Sequence, residues 1–104
     1  LSSIANEQQL YDYLFEDAWQ ELSNQNAIDA QSLLIYLSED SEPIPFELLY
    51  GIENARGISM QDFQIDEAIK LLKQLSLVEI TGSMISMHSL TAHFFGETLR
   101  RRYV

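Results

Sequence analysis

The chain has 104 residues, 46% of them hydrophobic, with no cysteine and with sixteen acidic against six basic residues, for a formal charge of −10 and a pI near 4.3. That length suffices for one domain with its own core, and the cysteine count excludes disulfides and thiolate metal sites. The acidity disfavours nucleic acid, whose binding draws on Lys and Arg, and the longest apolar run, Leu33 to Leu37, falls far short of the ~20 residues that span a bilayer.

Residues 1–6 show no hydrophobic period and read as a tether. From Glu7 onward Tyr11, Leu14, Phe15, Ala18, Trp19 and Leu22 recur at three- and four-residue spacing, which predicts a helix from Glu7 to Leu22 with one apolar face. Ser23 to Asn26 is a polar turn rich in capping residues. Ala27, Ala30, Leu34 and Leu37, with Leu33 beside them, predict a second helix from Ala27 to Leu37. The acidic stretch Ser38 to Pro43 ends it as a solvated connection, because Pro43 pushes Glu42 out of the α region. Pro45 suits the first position of a short helix to Tyr50, with Gly51 helping to terminate it. Ile52 to Met60 reads as an irregular connection.

Asp62 is then a candidate N-cap for a helix from Phe63 to Leu75, with Ile65, Ala68, Ile69, Leu72 and Leu75 at helical spacing. Its acidic Asp66 and Glu67 precede Lys70 and Lys73, the order that suits the helix dipole. Leu77 to Thr81 alternates and is β-branched, Gly82-Ser83 can form a two-residue turn, and Met84 to Met87 can return, so a β-hairpin is predicted. Ser89 or His88 caps a final helix carrying Leu90, Phe94, Phe95 and Leu99, in which Gly96 points to close packing. The expected fold is mainly α with a small β-hairpin. It is a winged helix of helix-turn-helix type, a single domain over residues 7–104 with a wing at about 77–87, an extra N-terminal helix and a C-terminal helix.

Several places invite a functional reading, and each has a plainer one. The third core helix would read DNA in a nucleic-acid-binding winged helix, but its Asp66, Glu67, Lys70 and Lys73 balance and the wing adds only Glu79, which favours protein contact. Arg100, Arg101 and Arg102 are most simply cations offsetting the negative end of the last helix. Ser86, His88 and Ser89 are adjacent, but neighbouring side chains diverge and make no triad, so no catalytic residue and no enzyme activity is expected of this chain alone. There is no Gly-rich phosphate loop and no metal site. His93 reads as a boundary side chain and Trp19 as a core anchor. His88 stands apart, because it follows a strand and opens a helix, where backbone N–H groups and the dipole favour an anion such as phosphate. Position alone also allows it to be a cap or a packing residue.

Three stretches together resemble the winged-helix segment of the NB-ARC class of signal-transducing STAND NTPases, the class of apoptotic ATPases and plant resistance proteins. Leu10 to Ser23, with Trp19 and Leu22-Ser23 at its end, is similar to that family's helix closing on a Leu-Ser turn. Ala68 to Val78 is similar to its helix running into a Leu-Ser-Leu-Val strand, and Met87-His88-Ser89 resembles its Met-His-Asp motif. The resemblance implies a regulatory module of a larger cytoplasmic protein. His88 would contact a phosphate of ADP bound to the adjacent NTPase module, and Met87 would support it as a buried strand residue. ADP/ATP exchange on that module would release a closed state and allow contact with other protomers. Ser89 stands where the family has Asp, which removes an ion pair that Asp could make while keeping a helix-capping side chain. Two alternatives stay open: a winged helix used only for protein contacts, and a DNA-binding transcriptional regulator.

Overall fold

The computed structural model describes residues 2–39, 42–54 and 56–98. Its elements are α1 (Ser2–Asn24), α2 (Ile28–Ser38), β1 (Ile44–Pro45) running into a 3-10 turn (Phe46–Leu48), α3 (Asp62–Gln74), β2 (Glu79–Thr81), β3 (Met84–Ser86), and α4 (Ser89–His93), which widens into a π-helical stretch (Phe94–Thr98). The protein is thus mainly helical, with one small antiparallel sheet in the order β1-β3-β2.

Helix α1 begins at Ser2, over the stretch read above as a tether. Ala5, Glu7, Gln8 and Gln9 are good helix formers with no Gly or Pro among them, so propensity carries the helix where no apolar period announces it. Its C-terminus is closed by Asn26 at φ 56°, with Asn26 N–H donating to Ser23 O (3.0 Å) and Ala27 N–H to Leu22 O (2.9 Å). This is a Schellman ending built on Asn rather than Gly. Helix α3 ends the same way on Ser76 (φ 59°), with Ser76 N–H to Lys73 O and Leu77 N–H to Leu72 O, both 3.0 Å. Leu72 and Leu77 are both buried, which supplies the apolar contact that accompanies such endings.

The expected cap of α3 shifts by one residue. Gln61 is the N-cap and its N–H donates to Oε1 of Gln64 at 2.7 Å, so Asp62 opens the helix instead of capping it. The short helix expected from Pro45 to Tyr50 is also corrected. Pro45 is extended (φ −62°, ψ 140°) and pairs with Met84, and only Phe46–Leu48 form a 3-10 turn. Proline's missing N–H is tolerable there because β1 is an edge strand. The predicted hairpin is present: Thr81 pairs with Met84 across a two-residue turn whose first residue, Gly82, has φ 62°, as a glycine-first hairpin turn requires. The irregular connection is tighter than expected. Glu53 bridges Ser59, and the side-chain oxygen of Asn54 accepts from the N–H groups of Arg56 (2.8 Å) and Ile58 (3.2 Å).

One core joins these parts. Leu22 of α1, Leu33, Leu34 and Leu37 of α2, Leu49, Ile65 and Leu72 of α3, Ile85 of β3, and Phe94 and Phe95 are its largest fully buried side chains. Phe95 meets Phe94 edge-on at 4.9 Å between ring centroids, Phe15 at 5.8 Å and Trp19 at 6.0 Å. Trp19 is therefore a half-buried flank of the core. The close approach expected at Gly96 is present. A Cβ there would stand 3.1 Å from the backbone oxygen of Ser38, so the widened turn packs directly on the end of α2. The Arg100, Arg101 and Arg102 cluster and Leu99 lie outside the described residues.

Candidate functional site

The chain leaves β3 at Ser86 and enters α4 at Ser89, so Met87 and His88 form the corner between sheet and helix. Their side chains divide in the way strand alternation dictates. Met87 is buried in the shared core, and His88 is exposed. Met87 therefore anchors the corner from beneath, and the imidazole is free to meet something outside the domain.

His88 is the N-cap of α4. Its backbone is extended (φ −59°, ψ 145°), and its Nδ1 accepts from the N–H of Leu90 at 3.1 Å. Of the two caps the sequence allowed, the structure uses His88 and leaves Ser89 as the first helical residue. An Nδ1 atom that accepts a hydrogen bond places the proton of a neutral ring on Nε2, so the outer edge of the imidazole is a hydrogen-bond donor in a set orientation. The cap also changes the anion argument made from sequence. Leu90 N–H, one of the groups a helix N-terminus would offer, is already occupied by the ring, and the α-helical part of this segment is only five residues long. What the corner offers is a side-chain donor more than a backbone nest.

His93 is exposed at the end of α4. No hydrogen bond joins Ser86, His88 and Ser89 among the described residues, and those residues contain no cluster of His, Asp or Glu that could hold a metal ion. On α3, Asp66 accepts from the Tyr50 hydroxyl at 2.8 Å; that hydrogen bond to a carboxylate, with a smaller share from burial and nearby charge, raises the phenol above its usual 10.0. Asp66 therefore braces the 3-10 region against α3. No helix among the described residues is long and apolar enough to cross a membrane.

One concavity escaped the sequence reading. Its lining comes from the turn at Gln25 to Ala27, the start of α2, the residues Asn54, Arg56 and Ile58, and α3 residues between Phe63 and Gln74. The available signal was Phe63, a large apolar residue off the Ile65, Ala68, Ile69, Leu72 stripe, and it is 64% exposed. Comparison of the chain with protein-family models, with curated proteins and with solved structures finds no match.

Proposed function

We propose that this chain is the regulatory winged-helix module of a STAND NTPase of NB-ARC type, and that His88 helps hold the ADP-bound closed state of an adjacent NTPase module. In this reading β2 and β3 are the wing, α3 is the third core helix, and α1 and the α4 segment are the additions at either end. The observation that carries the proposal is the state of His88: an exposed residue next to the buried Met87, with Nδ1 engaged by Leu90 so that a neutral ring carries its proton on Nε2. A phosphate oxygen accepting from Nε2–H makes a charge-assisted bond, stronger than its neutral counterpart. The residues present fit that single contact. ADP would supply the phosphate acceptor, and pocket walls for base and ribose would belong to the NTPase module.

A contact of this kind switches a protein only through its differential free energy between two arrangements. If His88 meets the nucleotide only when the module is closed, its bond favours the closed state by about 1.5–3 kcal/mol. In a protein carrying both modules, His88→Ala should speed ADP release by about ten- to a hundredfold and raise the active fraction. An unchanged ADP off-rate, with unchanged activity, would refute the contact. The reading as a protein-contact winged helix draws separate support from the exposed Phe63 and Ile58 beside the α2–α3 groove.

A further inference from the structure

Of the eight large hydrophobic side chains that stand exposed among the described residues, four fall within five consecutive positions of α1: Leu10, Tyr11, Tyr13 and Leu14. Exposed apolar residues scattered singly are ordinary, whereas a contiguous group marks a surface that meets something. Helix α1 has two distinct sides. Phe15, Ala18, Trp19 and Leu22 turn one of them to the core. Leu10, Tyr13, Leu14, Asp17 and Glu21, at i, i+3, i+4, i+7 and i+11, form a second stripe. All five are exposed, Tyr13 by 70%. Tyr11 links the apolar part of this stripe to the core, its ring stacked on Phe15 with 6.0 Å between centroids.

The charge of this helix has one sign. From Ser2 to Asn24 it carries five carboxylates and neither Lys nor Arg. On the exposed stripe, Asp17 and Glu21 follow the apolar residues, and Glu21 accepts from the Gln25 side chain at 2.9 Å through one of its oxygens. An apolar half and an acidic half thus succeed each other over about 17 Å of helix. We propose that this face of α1 docks a basic amphipathic helix of a partner protein, whose apolar side chains cover Leu10, Tyr13 and Leu14 and whose Lys or Arg side chains meet Asp17 and Glu21. Charge complementarity selects this occupant. A second copy of the chain would bring another −10 and the same acidic stripe. Nucleic acid requires cations to neutralise its phosphates, and helices that lie on anionic membranes carry Lys and Arg on their polar face; α1 has neither. The tyrosines favour the same partner, because a Lys or Arg placed over a Tyr ring is attracted by its quadrupole. The proposal is independent of His88 and of any nucleotide.

The test is an NMR titration of the 15N-labelled chain with three blocked peptides: Leu-Lys-Lys-Leu-Leu-Lys-Lys-Leu, its acidic counterpart with Glu for Lys, and an equally basic one with Ala for Leu. The first should shift amides from Leu10 to Glu21 and bind at least about tenfold more tightly than either of the others. Leu10→Ala combined with Tyr13→Ala should weaken it about tenfold, as for an apolar anchor. Asp17→Asn combined with Glu21→Gln should weaken it about fivefold and flatten its salt dependence. Phe63→Ala, which removes an exposed apolar side chain from α3 instead, should leave affinity unchanged. All these side chains are exposed, Ala preserves helix propensity, and unchanged circular dichroism checks that each variant folds. The proposal fails if the Leu-Lys peptide does not saturate, if either control peptide binds equally well, or if the α1 substitutions weaken binding no more than Phe63→Ala does. It also fails if sedimentation shows the chain alone to dimerise through Leu10 and Tyr13, or if phosphatidylserine vesicles take up the chain.

Discussion

The last helical stretch has two dissimilar ends. At its start His88 is exposed, and its ring is held by one hydrogen bond from the N–H of Leu90. One to two turns later Phe94 and Phe95 are completely buried among Phe15, Trp19 and the leucines of α2. Folding free energy is thus concentrated at the far end, where apolar area is removed from water, and the near end is left free to act. A residue that contributes little to the core can be changed without unfolding the domain, and that separation is what a switch contact requires.

The strongest way to break this contrast is to truncate the buried end. Phe95→Ala should cost about 3–5 kcal/mol, a large share of the stability of a domain this size, read as a fall in the urea midpoint. If the loss were small, the α4 segment would not be anchored as described. At the near end, His88→Ala should cost only about 0.5–1 kcal/mol through loss of the cap, and His88→Asn should recover most of it because Asn caps well. Asn would keep the cap while changing the outward donor, so stability and any nucleotide effect should separate in that variant. Phe63→Ala, away from both ends, should change stability by no more than about 0.5 kcal/mol; a larger loss would mean that Phe63 belongs to the core.

The smallest effect is expected at Tyr50. Its bond to Asp66 raises the phenol's pKa on folding, so the folded state holds that proton more tightly than the unfolded chain. Stability from the bond is fully present below the unfolded phenol's pKa and is lost as pH rises through the higher folded value. Tyr50→Phe should therefore lower the melting temperature slightly at neutral pH, and the gap from the natural chain should narrow above pH 10.0. A gap that widened in alkali would reverse the assignment.

The sequence revealed those parts of the fold where one period dominates. The Phe15, Ala18, Trp19, Leu22 stripe, the Ile65 to Leu72 stripe and the alternating hairpin were all legible because burial imposes periods of 3.6 and 2. The start of α1 was not, since propensity without amphipathicity leaves no pattern. β1 was hidden because two residues carry no period and its partner, Ile85, is remote in the chain. The helix endings on Asn26 and Ser76 were obscured because neither is glycine, and the π-helical stretch depends on tertiary packing at Gly96. At the candidate site, the burial of Met87 and the choice between His88 and Ser89 as cap were within reach. The orientation of the ring was not, because it rests on one side-chain to backbone bond.

That orientation is the point on which the proposed role of His88 turns, and it can be measured on this chain alone. Long-range 1H–15N correlation on the His88 ring reports which nitrogen carries the proton in the neutral form. The structure predicts an unprotonated Nδ1 accepting from Leu90 and a proton on Nε2. A ring protonated on Nδ1 would contradict both the cap and the outward donor.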